Sequence, residues 1–87
     1  MVIPMDISYD TSGTCAFRID VSVEDGILTD VRFHGGCDGN LKGIASLVKG
    51  MKADEAASRL RGIRCGKRST SCPDQLARAI DRLRREE

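Results

Sequence analysis

Large aromatic side chains are nearly absent from this 87-residue sequence, which has no tryptophan, one tyrosine and two phenylalanines. Its core must be assembled from Val, Ile, Leu, Ala and Met, and a chain of this length has interior for one such core and no second domain. Crude bookkeeping for so small a domain leaves net stability near zero unless something staples the chain. Long apolar runs are missing too, and nothing approaches the roughly 20 apolar residues that span a bilayer. The opening MVIPMDISYD has no basic stretch and carries Asp6 and Asp10 where a secretory signal would be apolar. A cytoplasmic protein with no membrane partner is expected. Repeats, linkers and low-complexity segments are also lacking, so residues 1–87 are read as one domain. Gly35-Gly36 stands in no Walker or dinucleotide fingerprint and reads as a tight turn. No Ser-His-Asp or paired-carboxylate arrangement can be made out.

Charge is present but uneven. Residues 1–51 hold four Lys/Arg against seven Asp/Glu, and residues 52–87 hold ten against six. The basic half suits an anionic partner. The simpler reading places Arg78, Arg82, Arg84 and Arg85 near a helix C-terminus, where cations complement the dipole. With no aromatics between these arginines, a base-stacking nucleic-acid surface is not expected.

The chain reads as strands followed by helices. Cys15, Phe17, Ile19, Val21 and Val23 alternate with Ala16, Arg18, Asp20 and Ser22, the period-2 pattern of a half-buried strand. Ile27, Thr29, Val31 and Phe33 repeat it, and Met5, Ile7 and Tyr9 suggest a further strand. A three-residue loop, Glu24-Asp25-Gly26, would set Val23 against Ile27, Ile19 against Val31, Phe17 against Phe33 and Cys15 against Gly35. A two-residue Asp25-Gly26 turn would set Val21 against Asp30, so matching of apolar faces favours the longer loop. Helical spacing then takes over, with Leu41, Ile44, Ala45, Val48 and Met51 forming one stripe. Ala53–Arg61 is a second helix ending at Gly62. A third starts at Pro73, with Cys72 as its N-cap and Leu76, Ala77, Ile80 and Leu83 on its apolar face. The expected fold is α+β, a three-stranded antiparallel sheet followed by three helices on one side.

The staple is sought among the four cysteines, spaced Cys15-x21-Cys37-x27-Cys65-x6-Cys72. None of these intervals is the short spacing of a zinc finger, but each cysteine falls at the end of a predicted element, free to converge at one edge of the sheet. Cys72 before a helix and Cys37 beside a Gly-rich turn would lie near backbone N–H groups that favour thiolate. A reducing compartment argues against disulfides, and core burial is the usual fate of a single cysteine. Taken together, Cys15, Cys37, Cys65 and Cys72 read as a tetrahedral S4 metal site, with zinc first and an iron–sulfur cluster as the alternative. Cys65 and Cys72 form a second candidate, a redox pair. His34, Asp38 and Lys67 are candidates for groups that support the ligands, although a solvent-facing strand position suits His34 better. Asp74, three residues after Ser71, resembles a capping partner rather than a general base.

Thr70-Ser71-Cys72-Pro73-Asp74 spells the motif of the TSCPD domain family. Together with FHGGCDGNLKGIASLVKGM and LRGIRCGKRSTSCPDQLARAI, it makes the chain from Cys15 to Ile80 resemble the small stand-alone members of that family. The same domain occurs at the C-terminus of cobalamin-dependent ribonucleotide reductases. The resemblance therefore implies a link to deoxyribonucleotide synthesis and the label ribonucleoside-diphosphate reductase. These 87 residues have no room for the barrel and radical cysteine of such an enzyme, so an accessory or redox module is implied, with a reductase or another protein as partner and a homo-oligomer open. The order of elements and cysteines is also similar to the U-type iron–sulfur scaffold proteins, with Cys15, Cys37 and either Cys65 or Cys72 at the scaffold positions. Phe17 stands where those scaffolds carry an aspartate, and the fourth cysteine implies a closed site rather than one that hands off clusters.

Overall fold

The computed structural model of the chain describes residues 4–14, 16–36 and 38–85. Three strands, β1 (Pro4–Asp10), β2 (Ala16–Glu24) and β3 (Ile27–Gly35), form an antiparallel sheet in the order β1-β2-β3. Three helices follow: α1 (Asp38–Val48), α2 (Ala53–Leu60) and α3 (Cys72–Arg85). The α3 helix packs across β1 and β2, α1 lies against β3, and α2 packs on α3. This is the α+β arrangement that the change of period along the sequence implies. Among the described residues no helix is long and apolar enough to cross a membrane.

One apolar cluster joins the layers. Ile19, Val21 and Val23 of β2 and Leu28 and Val31 of β3 meet Val48, Ala53, Ala56, Ala57, Leu76, Ala77, Ala79, Ile80 and Leu83 from the helices. Alanines dominate the helical side because α2 and α3 must approach closely, and small side chains permit that approach. The buried surface of α3 is wider than its expected stripe: Ala79 is sealed as well, consistent with contact to both the sheet and α2. Arg61 just beyond α2 binds both carboxylate oxygens of Asp81 in α3, at 2.7 and 2.8 Å, and an Arg84–Asp54 ion pair adds a second link.

The hairpin corrects the expected register. Its turn is the two-residue one, Asp25-Gly26, with Glu24 paired to Ile27. Both turn residues have positive φ, 52° and 77°, the conformation whose twist matches the flanking strands and for which Asp-Gly is well suited. The mismatch that argued against this turn never arises. An irregularity leaves Thr29 without a Cα partner, so Val23 faces Leu28 while Ser22 faces Asp30. Val21 then meets Val31, and Ile19 meets Phe33 rather than Val31. The same extra residue turns Leu28, not Thr29, into the core.

A second irregularity, at Phe17, has Ala16 facing Gly35 and Arg18 facing His34. It reverses the expected faces at the start of β2: Ala16 is 2% exposed and Phe17 is 64% exposed. The expected Cys15–Gly35 pairing lies outside the described residues, and Ala16 takes that position opposite Gly35. The connection between α1 and α2 covers the hairpin end of β3. Leu28 N–H donates to the Met51 carbonyl (2.9 Å) and Gly50 N–H to the Leu28 carbonyl (2.8 Å), which leaves those buried groups paired.

Candidate metal centre

Cys65 lies exposed in the 61–71 loop, and Cys72 is half-buried in the first turn of α3; both are free thiols. Cys15 and Cys37 lie outside the described residues. Among the described residues no group of three or more His, Cys, Asp or Glu side chains is placed to hold a metal ion. The described structure therefore speaks to two of the four candidate ligands directly, and to the segments flanking the other two.

The 61–71 loop has no regular secondary structure, yet it is closely tied down. Cys65 N–H donates to the Thr70 carbonyl (3.2 Å), and Arg68 N–H donates to the Cys65 carbonyl (3.0 Å), folding the six residues between the cysteines back on themselves. Ser71 is the N-cap of α3: its hydroxyl oxygen accepts the Asp74 N–H (3.1 Å), and its carbonyl accepts the Gln75 N–H (2.8 Å). Cys72 is consequently the first helical residue and not the cap, and Pro73 follows it where a missing N–H costs nothing. The Ser71–Asp74 capping pair is present as expected, and the Ser71 hydroxyl also donates to the Ile63 carbonyl (2.6 Å).

Asp74 does more than sit in a cap. Its carboxylate is 3% exposed and accepts the Gly62 N–H (2.8 Å), the Thr70 hydroxyl and the Arg78 Nε–H (3.1 Å). Burial pushes the group up, but the Thr70 and Gly62 hydrogen bonds and the Arg78 guanidinium together outweigh it and hold Asp74 below the ordinary carboxylate value. Gln75, 2% exposed, donates through Nε2 to the Thr70 hydroxyl oxygen (2.9 Å), and its Oε1 accepts the Ser12 N–H at 3.4 Å. Thr70 and Gln75 were not distinguishable as site-building residues in the sequence. The one signal was the spacing Thr-Ser-x-x-Asp, which sets two hydroxyls within reach of a first-turn carboxylate.

These contacts tie the Cys65–Cys72 loop to the β1–β2 turn. Gly13 lies so close to Thr70 that a Cβ at position 13 would stand 3.1 Å from the threonine methyl. Gly13 and Thr14 share with Arg68 and Ser69 a shallow depression of about 410 Å³. The Thr11 and Thr14 hydroxyls both donate to the Ala16 carbonyl, fixing the β1–β2 turn, and Ala16 faces Gly35 across the hairpin. Described contacts thus join residues 13 and 14 to the 65–72 segment, and separately Ala16 to Gly35 across the hairpin. Thiols are soft donors, and Cys65 and Cys72 are both unpaired by disulfide, so their chemistry suits a soft metal, although among the described residues no third ligand joins them.

His34 pairs with Arg18 across the hairpin, one residue before Gly35. On the sheet face away from the helices its Nε2 lies 2.7 Å from Asp20 Oδ2, and Asp20 also accepts the Ser8 hydroxyl (2.6 Å). The Ser8 hydrogen bond, the bond to His34 and the nearby Arg18 charge lower the Asp20 pKa against a partial opposing effect of burial. The Phe17 ring lies tilted 6.1 Å from the imidazole. Lys67 is exposed in the Cys65 loop, and Asp38 opens α1.

The family model for the TSCPD domain matches residues 4–84, from the first described strand almost to the end of α3. The chain belongs to the TSCPD domain family. No curated protein and no solved structure gives a significant match. In this TSCPD domain the five motif residues divide their work. Thr70, Ser71 and Asp74 clamp the loop to α3, Pro73 takes the second helical position, and Cys72 alone offers a donor that internal hydrogen bonding has not used.

Proposed function

We propose that this TSCPD domain is a metal-binding accessory module in which Cys15, Cys37, Cys65 and Cys72 hold one zinc ion, and that it serves ribonucleoside-diphosphate reduction by acting with a reductase rather than as one. The observation that carries the reading is the clamping of the free-thiol segment 65–72, with the first turn of α3, against Ser12 and Gly13 of the β1–β2 turn. The reductase link draws its support from family membership. A closed thiolate zinc site supplies folding free energy, about 10–16 kcal/mol in small domains, and needs no open coordination position. That would be the staple a domain with three aromatic residues requires.

A second reading is favoured by the accessibility of Cys65: the Cys65 and Cys72 thiols would cycle as a redox pair. A cluster scaffold and a pure interaction module are the remaining alternatives. Elemental mass spectrometry on anaerobically purified protein, with a reactive-thiol count on the same sample, separates these. About one zinc per chain with all four thiols masked supports the zinc module. Iron and brown colour point to the scaffold. Absence of metal with four reactive thiols refutes the zinc reading and leaves the redox pair, which a defined thiol–disulfide potential would establish.

A further inference from the structure

We propose that Thr70 and Gln75 are positioning residues for the metal centre, forming a polar relay that ties the β1–β2 turn to the Cys65–Cys72 loop. This inference rests on the four-cysteine reading above. The cysteines occupy separate segments, with 21, 27 and 6 residues between them. Local turn geometry cannot preset the distance between the first and the last pair, so tertiary contacts must.

The relay has a fixed polarity. An ionised carboxylate is an acceptor only, so Asp74 takes the Thr70 hydroxyl hydrogen. The Thr70 oxygen is then left to accept, which selects the Nε2 end of the Gln75 amide. With Nε2 committed, Oε1 faces Ser12 N–H, as observed. Each choice in the chain Asp74, Thr70, Gln75, Ser12 follows from the one before it. The sequence separation it closes is 63 residues, from the turn before Cys15 to the helix that Cys72 begins. Both Thr70 and Gln75 are buried, so water does not readily replace the bond between them, while the Ser12 end of the relay is exposed.

The test uses zinc affinity by chelator competition and the ligand-field spectrum of the cobalt-substituted protein at saturating cobalt. Thr70→Val keeps the shape and removes the hydroxyl; Thr70→Ser keeps the hydroxyl. Gln75→Met removes only the Gln75 links and leaves the Asp74–Thr70 bond in place. Leu83→Ala, in the core and outside the relay, controls for general loss of stability. Loss of an outer-shell partner lowers metal affinity about 10–100-fold. Thr70→Val and Gln75→Met should show that loss and an altered cobalt spectrum, with Thr70→Ser close to the unchanged protein in both readouts. A native cobalt spectrum in folded Thr70→Val and Gln75→Met, with affinity lowered no more than in Leu83→Ala, overturns the proposal. Should Thr70→Val fail to fold, Gln75→Met decides alone. Unsubstituted protein that binds neither zinc nor cobalt overturns the four-cysteine reading and this inference together, and it is seen before any variant is made.

Discussion

Replacing Asp74 by asparagine should destabilise the protein through the geometry of one carboxylate. Its Oδ1 accepts the Gly62 N–H, and its Oδ2 accepts both the Thr70 hydroxyl and Arg78 Nε–H. In Asp74→Asn the amide oxygen stays with Gly62, which turns the NH2 toward two donors. Thr70 can rotate its hydroxyl away and accept, but only by directing its hydrogen at Gln75, and Arg78 loses its acceptor. A hydrogen bond to a charged group contributes about 1.5–3 kcal/mol. The Arg78 side chain is 56% exposed, so its share is discounted to about 0–1 kcal/mol for solvent screening. With the Gly62 bond weakened and the Thr70 bond reversed, a cost of about 2–3 kcal/mol is expected. For a domain of this size that lowers Tm by roughly 8–24 °C.

The pH dependence fixes the assignment. Asp74 has a folded pKa below its ordinary value of 3.8, so its contribution is present above that value and is lost as pH falls through the folded pKa. Urea unfolding followed by circular dichroism should show a constant gap between the protein and Asp74→Asn from about pH 5 to 8, closing at acid pH. A gap under about 0.5 kcal/mol at neutral pH, or one that stays open below the folded pKa, would refute the reasoning.

Other expectations follow from single contacts. Gly13→Ala puts a Cβ at φ 73° and 3.1 Å from the Thr70 methyl, and should cost about 1–2 kcal/mol in urea unfolding. Ile80→Ala, in the sealed centre of α3, should cost about 2–5 kcal/mol; a loss under about 1 kcal/mol would mean that α3 is not the core helix. His34→Ala removes a half-exposed hydrogen bond to Asp20 on the far face of the sheet, so stability should change by at most about 1 kcal/mol, and metal content should not change. Cys72→Ser should abolish stoichiometric zinc and lower the melting temperature sharply; unchanged melting would count against a ligand role.

Much of the fold was legible because periodicity reports burial directly. The change from period 2 to period 3.6 after Gly36 located the helices, and Leu76, Ala77, Ile80 and Leu83 were visible as one face of α3. The hairpin register was not, because an irregularity adds one unpaired residue and thereby exchanges the faces of everything beyond it. Face matching over Ile27–Phe33 assumed an unbroken strand, so it selected the wrong turn, whereas the Asp-Gly preference for positive φ selected the right one. The exchange at Phe17 escaped notice for the same reason.

For the site, residue type and spacing nominated four cysteines, of which the described structure places two, Cys65 in the 61–71 loop and Cys72 in the first turn of α3. What holds Cys65 and Cys72 in place could not be read. Thr70, Asp74 and Gln75 look in sequence like ordinary turn and first-turn residues, and their roles depend on Gly62 and Ser12, which only the folded chain brings to them. Buried polar partners leave no periodic trace, because a hydrogen bond is satisfied pairwise and not by a face.

Extended X-ray absorption at the zinc edge, on protein purified without oxygen, tests the four-cysteine centre most directly. A single shell of four sulfurs at about 2.3 Å is expected. A shell of nitrogen and oxygen neighbours, or no zinc to measure, would contradict it.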